Sequence, residues 1–120
     1  MKKTIAITHG DGVGKEVVPE GAKILEVIAN YTELEFEFIE APAGGEVWKE
    51  CGNSLPEKSF EIIKSSDAML FGAIGIPGLP QGVAESAIMR IRRGLDLYVN
   101  LRPIKLFDAV RDRCPLKEEF

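Results

Sequence analysis

Residues 3–30, "KTIAITHGDGVGKEVVPEGAKILEVIAN", decide the class of fold. The stretch begins with a short apolar run over residues 3–8, which predicts a β-strand, and the glycine-rich turn "HGDGVG" ends it. A helix is predicted over residues 14–30, although Pro19 and Gly21 weaken its first half. Four apolar residues share one face of that helix at a spacing of 3.6 residues: Val17, Ile24, Leu25 and Ile28. A strand, a tight turn and a helix in this order are typical of an α/β sheet.

The next segments continue the alternation of strands and helices. Residues 34–41, "LEFEFIEA", alternate apolar and acidic side chains, which predicts a strand buried on one face near a sheet edge. A short helix is predicted in "GGEVWKECGN", with its end at Gly52. A further helix follows in "SLPEKSFEIIKSSD", where Ser54 and Glu57 have the spacing of a capping box.

Residues 68–75, "AMLFGAIG", are nearly all apolar, which predicts a central parallel strand covered on both faces. A helix carrying several arginines is predicted over residues 84–94. Residues 97–106, "LYVNLRPIKL", are predicted to be extended. The whole order indicates an α/β fold with mainly parallel strands.

Composition limits the function classes. The chain has 120 residues, a net charge of −4 and 45% hydrophobic residues, which suits one globular domain. No apolar run has the length of a membrane span or a secretory signal, and Cys51 and Cys114 have no metal-ligand spacing. We therefore expect a cytoplasmic protein with reduced cysteines and no membrane partner. The acidic balance argues against nucleic acid as a partner.

The sequence "GDGVGK" invites a nucleotide-binding interpretation because a strand precedes it and a helix follows. Gly10, Gly12 and Gly14 are spaced two apart, whereas a dinucleotide fingerprint needs G-x-G-x-x-G. Glu16 follows Lys15 where a Walker loop needs serine or threonine. A tight strand-to-helix turn is the favoured interpretation, and an anion held by the helix amides remains the alternative.

Residues 88–103, "IMRIRRGLDLYVNLRP", gather four arginines beside apolar residues: Arg90, Arg92, Arg93 and Arg102. Arg102 is expected on an extended segment that returns beside the helix carrying Arg92. Two guanidinium groups converging there would bind two carboxylates of one small acid. The alternative is a solvated helix face, with its arginines paired to Glu85 and Asp96.

Four stretches together identify the chain as similar to a known family: "GDGVGKEVVPEGAKIL", "AGGEVWKECGNSLPE", "SDAMLFGAIG" and "RRGLDLYVNLRP". They resemble the β-decarboxylating 2-hydroxyacid dehydrogenases, which include isopropylmalate, isocitrate, homoisocitrate and tartrate dehydrogenases. The similarity runs in order through essentially all 120 residues. It implies a three-layer α/β fold that is not a Rossmann fold, in agreement with the failed fingerprint.

The resemblance also implies roles for individual residues. Arg92 and Arg102 match the two arginines of the family motif "LRxxxDLxxNLRP", which hold the carboxylates of the malate moiety. The residues expected to border the nicotinamide end of NAD are Ile74, Gly75, Ile76, Pro77 and Glu85. No position in these 120 residues matches a catalytic or metal-binding residue of the family.

In the family, the substrate hydroxyl is oxidised by hydride transfer to NAD or NADP, and a carboxylate is then lost as carbon dioxide. A Mg²⁺ or Mn²⁺ ion acts as the Lewis acid, and its ligands are expected beyond residue 120. Family members are homodimers about three times this length. Residues 1–99 would belong to the large, cofactor-side domain and residues 100–120 to the crossover into the second domain. We expect the 120-residue chain alone to be inactive.

Two residues bear on which substituted malate is bound. Homoisocitrate enzymes tend to carry arginine where this chain has Met89, and isocitrate enzymes tend to carry asparagine where it has Ile88. An Ile88–Met89 wall suits a branched alkyl group and offers no donor to a third carboxylate. This favours isopropylmalate, the substrate oxidised in leucine biosynthesis. Arg90 could instead turn toward a third carboxylate, which keeps homoisocitrate and isocitrate as alternatives.

Two further expectations complete the analysis. His9 stands where the family usually has proline, and with no visible carboxylate partner it is expected to be a packing residue. A short, non-catalytic relative that binds an acid or a partner protein through Arg92 and Arg102 remains the alternative to an enzyme.

Overall fold

Three parallel strands form the sheet of this protein, in the order β2-β1-β3. The computed structural model describes residues 1–114. Its elements are β1 (Lys2–Thr8), α1 (Gly14–Asn30), β2 (Glu35–Glu40), α2 (Gly45–Cys51), α3 (Glu57–Ser65), β3 (Ala68–Phe71), α4 (Val83–Gly94) and a 3₁₀ helix (Asp108–Arg113). In the register, Ile5 lies opposite Phe38 of β2 and Ala68 of β3. The predicted α/β class with parallel strands is confirmed.

The sheet is covered on both faces. On one face, β1 and the helices α3 and α4 bury a cluster that includes Ala6, Phe60, Ile63 and Ile91. On the other face, Val18 and Leu25 of α1 pack with Ile5, Ile7 and the two phenylalanines of β2. These are three layers, helices on sheet on helix. None of the helices in residues 1–114 is long and apolar enough to cross a membrane.

The edge position and alternation predicted for β2 are confirmed. Phe36 and Phe38 point to the apolar cluster and stack with ring centroids 6.4 Å apart, while Glu35 and Glu37 are exposed. Side chains on opposite faces of a strand alternate with a period of two, which is why this pattern could be read directly.

The central strand predicted over residues 68–75 is wrong in position and length. β1 is the central strand, and β3 ends at Phe71 on the other edge of the sheet in the described part of the chain. A Cβ on Gly72 would lie 2.1 Å from the carbonyl oxygen of His9. The chain after Phe71 therefore crosses the turn that follows β1 instead of extending the ladder.

Helix α1 has the predicted bounds, but its predicted core face is only partly buried. Val17, Ile24 and Ile28 are exposed, whereas Gly14 and Val18 are buried. A Cβ on Gly21 would come within 3.2 Å of the Leu70 side chain, so the helix approaches β3 through a glycine. An apolarity pattern does not register glycine as a packing residue, which explains the error.

The capping box predicted at Ser54 does not form. Helix α3 begins at Glu57 directly after Pro56, with no side-chain cap, and the amide of Phe60 donates to the Pro56 carbonyl at 3.0 Å. The Ser54 hydroxyl instead contacts the Ser86 hydroxyl of α4 at 3.1 Å. The predicted end of the preceding helix is confirmed, because α2 is followed by Gly52 in the left-handed conformation.

Candidate functional site

Asp11, in the glycine-rich turn after β1, connects three segments of the chain. Its side chain is buried, with only 2% of its surface exposed. Its carboxylate accepts hydrogen bonds from the amides of Gly45 at 2.6 Å, Glu46 at 3.0 Å and Gly75 at 2.8 Å. The first two amides open helix α2, and the third lies in the loop after β3. Asp11 thus fixes that loop against the start of α2.

The surroundings of Asp11 keep its carboxyl group ionised. Burial raises the pKa of this carboxyl group. The hydrogen bonds from the backbone amides of Glu46, Gly45 and Gly75, together with the charge of Lys15, lower it by more, so the net pKa lies below 3.8. A fixed negative charge therefore stands at the first amides of α2, where the helix dipole favours it.

Two glycines make this arrangement possible. Gly10 has φ of +70°, and a Cβ there would lie 2.0 Å from the carbonyl oxygen of Ala73. Gly44 has φ of +136°, and a Cβ there would lie 2.8 Å from the carboxylate oxygens of Asp11. Gly10 lets the turn after β1 approach the backbone of Ala73, and Gly44 lets the Asp11 side chain approach the start of α2.

The backbone amides and the lysine side chain that could bind a phosphate at this turn are already paired within the protein. The amides of Gly14, Lys15 and Glu16 donate to carbonyls within the turn, and the Lys15 ammonium group pairs with the Glu46 carboxylate. The geometry therefore favours the tight-turn interpretation of "GDGVGK" over a nucleotide-phosphate site.

Residues 74–77, predicted to border the cofactor, form the loop that Asp11 holds. The backbone of Gly75 has φ of +138°, and Ile74 packs against the core cluster beneath α3 and α4. A Cβ on Gly45 would lie 2.9 Å from Ile76, so the loop also rests on the start of α2. Pro77 is exposed, as is Glu85 in the first turn of α4. The loop is therefore fixed by the core cluster at Ile74, by Asp11 at Gly75 and by the start of α2 at Ile76.

The arginines of α4 differ sharply in their surroundings. Arg90 donates to the Leu55 carbonyl at 3.0 Å, pairs with Glu57 and lies 4.6 Å from the centroid of the Phe60 ring. The side chain of Arg92 has no hydrogen bond or ion pair with any residue in the described part of the chain. The predicted pairing of the α4 arginines with Glu85 and Asp96 is not seen there. Within residues 1–114, Arg90 is therefore held by its neighbours, whereas Arg92 is not.

A cavity of about 690 Å³ lies between α3, β3 and α4. Ile88 and Arg92 line it together, beside the apolar side chains of Met69 in β3, Ile91 in α4 and Leu95 directly after α4. Met89, the other predicted specificity residue, is 41% exposed and does not line this cavity. The structure thus brings together one predicted substrate arginine and one predicted specificity residue.

Arg102 is not beside them. The strand predicted over residues 97–106 does not form, and Arg102 is exposed, with its Nε 3.5 Å from the Asn100 side-chain oxygen. After α4, Asp96 adopts a left-handed conformation with φ of 52°, and the amide of Leu97 donates back to the Arg92 carbonyl at 2.9 Å. This turn follows α4, and residues 98–106 after it are exposed. The convergence of Arg92 and Arg102 stays a prediction.

His9 has a carboxylate partner that the sequence did not reveal. Its Nε2 lies 3.2 Å from Glu40 Oε1, at the carboxyl ends of β1 and β2. The pairing of Ile7 with Glu40 in the parallel register brings the two side chains together across 31 residues of sequence. Nothing in the local sequence around His9 points to this partner. The expectation that His9 lacks a carboxylate is wrong.

No group of three or more histidine, cysteine, aspartate or glutamate side chains is arranged to hold a metal ion within residues 1–114. These residues do not fit a divalent cation by themselves. That its ligands lie later in the polypeptide stays a prediction.

Comparison with known proteins gives consistent matches. A model of the isocitrate/isopropylmalate dehydrogenase family matches residues 4–120. The 3-isopropylmalate dehydrogenase of Aquifex aeolicus is 45% identical over 124 residues, covering 99% of this chain and 34% of that protein. The Bacillus subtilis 3-isopropylmalate dehydrogenase is 40% identical, covering all of this chain and 34% of that protein.

Among solved structures, a β-decarboxylating dehydrogenase from Thermococcus kodakarensis in its apo form superposes with a TM-score of 0.62 at 36% identity. That superposition covers 80% of this chain and 27% of the other. The chain spans about a third of the length of the curated relatives it matches.

Proposed function

The chain belongs to the isocitrate/isopropylmalate dehydrogenase family, and we propose that it is the N-terminal part of an NAD-dependent oxidative decarboxylase acting on 3-isopropylmalate in leucine biosynthesis. The curated relatives that bear this name cover nearly the whole chain. Residues 1–99 form the cofactor-side part of the large domain, and residues 100–120 lead into the second domain. The complete enzyme is a cytoplasmic homodimer.

The observation that carries the substrate assignment is the contrast between Arg90 and Arg92. Arg90 is engaged by Leu55, Glu57 and Phe60, so it does not supply charge to a third carboxylate. Arg92 is unpaired within residues 1–114 and lines a cavity with Ile88. Because Arg90 is already engaged, Arg92 beside the apolar side chain of Ile88 matches a dicarboxylate that carries an alkyl group better than a tricarboxylate.

In this proposal the residues of the chain bind and orient the substrate. Arg92 and Arg102 form charge-assisted hydrogen bonds with the malate carboxylates, and Ile88 contacts the isopropyl group. Residues 74–77 and Glu85 border the nicotinamide ring, and Asp11 keeps the loop in position through Gly75. The apolar Ile76 and the carboxylate of Glu85 suit a flat ring with a polar substituent. NAD bound beside this loop would supply the hydride acceptor, and Mg²⁺ or Mn²⁺, for which residues outside this chain would provide the ligands, would supply Lewis-acid chemistry.

The test uses the complete reading frame that encodes these residues, purified with Mg²⁺. NADH formation is followed with isopropylmalate, isocitrate, homoisocitrate and tartrate in parallel. Replacing Arg92 with Met should lower kcat/KM for isopropylmalate about 10- to 100-fold, because a charge-assisted contact is lost. Arg93→Met, an adjacent exposed arginine that does not line the cavity, is the matched control and should change kcat/KM by less than about threefold.

Two results would contradict the proposal. Preference for a tricarboxylate would mean that Arg90 or a residue outside this chain supplies the third positive charge. Equal losses in the Arg92 and Arg93 variants would remove Arg92 from the substrate site. A reading frame that stops after Phe120 would instead support a short, non-catalytic relative.

A further inference from the structure

Residues 54–60 contact one side of helix α4 at three positions spaced four residues apart, here called the anchor row: Ser86, Arg90 and Gly94. At 100° per residue these positions fall within a sector about 80° wide. The opposite side of α4, about 190° away around the helix axis, carries Glu85, Ile88 and Arg92, which are proposed to meet the cofactor and the substrate. The anchor row therefore holds α4 from behind its ligand-facing side.

The first two contacts of the anchor row are polar. The hydroxyl of Ser54, a buried residue, lies 3.1 Å from the hydroxyl of Ser86. Arg90 donates to the Leu55 carbonyl at 3.0 Å and pairs with Glu57. A hydrogen bond keeps its geometry over roughly 0.5 Å of donor–acceptor distance. These contacts therefore hold α4 in place without setting its closest approach to α3.

The third contact is steric and sets that closest approach. Phe60 of α3 is buried in the core cluster, and its ring centroid lies 4.6 Å from Cζ of Arg90. A Cβ on Gly94 would lie 2.5 Å from Cζ and 3.0 Å from Cε2 of the Phe60 ring. The edge of the ring thus occupies the space that a side chain at position 94 would need. Because the core is close-packed, the ring has little room to withdraw.

The separation of α3 and α4 also sets the width of the cavity, which has Ile63 of α3 on one wall and Ile88 and Arg92 of α4 on another. We propose that Gly94 determines specificity through its contact with Phe60, because this contact sets the size of the alkyl group that the cavity accepts. The inference rests on the proposed function, since it takes the cavity as the substrate site. Gly94 does not line the cavity, so it is a positioning residue that acts through α4.

The Gly94→Ala variant of the complete enzyme tests this inference. The added methyl group pushes α4 away from α3, which widens the cavity and displaces Ile88 and Arg92. The kcat/KM for 3-isopropylmalate should fall at least about fivefold, because the carboxylate contact is misplaced. The ratio of kcat/KM for 3-isobutylmalate to kcat/KM for 3-isopropylmalate should rise at least about threefold.

A compensating substitution identifies the contact responsible. Phe60→Leu removes the ring atoms that a methyl group at position 94 would meet. The Phe60→Leu/Gly94→Ala double variant should therefore return the ratio to within about twofold of the wild-type value, since residues in contact are coupled.

Two single variants complete the test. Gly52→Ala, with no neighbour within 4 Å of its ideal Cβ, destabilises the protein through its left-handed backbone and should leave the ratio unchanged. Phe60→Leu alone lets α4 lie closer to α3, so the preference should shift the other way, toward 3-ethylmalate. This second shift decides the question if Gly94→Ala does not fold.

An unchanged ratio in both Gly94→Ala and Phe60→Leu would overturn the inference. A shift that the double variant does not reverse, or an equal shift in Gly52→Ala, would do the same. Preference of the wild type for a tricarboxylate would overturn the proposed function alone, because kcat/KM for that acid then reports the loss in Gly94→Ala and its reversal by Phe60→Leu. A wild-type enzyme without turnover on any of these acids would overturn both.

Discussion

At the scale of single residues, Asp11 has the greatest influence on the candidate site. One buried carboxylate satisfies amides of two segments that are 34 and 64 residues away in sequence. Burial alone would favour its neutral form, but three amide donors reverse that preference. A buried group with this many partners is costly to replace, because each orphaned amide then loses its bond without regaining water.

Replacing Asp11 with Asn should lower the free energy of unfolding by about 2–3 kcal/mol, because charge-assisted bonds are lost and an amide NH₂ meets amide donors. Urea denaturation at neutral pH measures this difference. Asp108→Asn is the control, since that carboxylate is exposed and pairs with Arg111 at i,i+3; it should have little effect. An Asp11 variant as stable as the wild type would contradict the assigned role.

The pH dependence of the same variant gives the sign of the effect. The folded-state pKa of Asp11 lies below 3.8, so its stabilisation is complete above about pH 4 and is lost as the pH falls through the folded value. The stability difference between wild type and Asp11→Asn should be constant between about pH 7 and pH 5 and shrink below about pH 4. The lowered pKa of Asp67 cancels, because both proteins retain it. A difference that persists undiminished in acid would contradict this account.

At the scale of elements, the start of α2 is determined by its contacts and not by its own sequence. The helix has seven residues and no side-chain cap, and its first amides depend on Asp11. Isolated helices of this length are unstable in water. Gly44 and Gly45 allow the close approach that lets a carboxylate from another segment replace a local cap.

Alanine substitutions at the two glycines that flank α2 distinguish the cost of backbone strain from the cost of a steric clash. Gly44 has φ of +136° and faces Asp11, whereas Gly52 has φ of +74° and has no neighbour within 4 Å of its ideal Cβ. We expect Gly52→Ala to cost about 1–2 kcal/mol of unfolding free energy, from the left-handed backbone alone. Gly44→Ala should cost more, at least about 3 kcal/mol, because strain and a clash with the carboxylate add. Equal losses in urea denaturation would show that the Gly44–Asp11 contact contributes nothing.

At the scale of the whole molecule, the described residues form a sheet that is small for an α/β domain. The sheet has three strands, whereas sheets of about four to six are usual. Large apolar residues after α4 are exposed, including Tyr98, Leu101 and Ile104. Exposed apolar side chains of this size mark contact surfaces, and the chain spans about a third of the length of the relatives that it matches.

The 120-residue chain should therefore show no turnover by itself. Purified chain supplied with NAD, Mg²⁺ and isopropylmalate should form no NADH above a blank without protein, because the chain spans only about a third of the length of the dehydrogenases that it matches. The complete reading frame under the same conditions is the positive control. NADH formation by the short chain would contradict this expectation.

The sequence by itself determined the α/β class, the parallel arrangement, most element bounds and the family, because hydrophobic periods and short motifs are local properties. Only the tertiary structure decided the partners of Asp11, the His9–Glu40 pair and the contrast between Arg90 and Arg92. It also showed that β1 is central, that α1 packs through glycines and that no strand carries Arg102. These features depend on contacts between residues distant in sequence, and the spacing of residues within one element carries no information about what another element brings beside it.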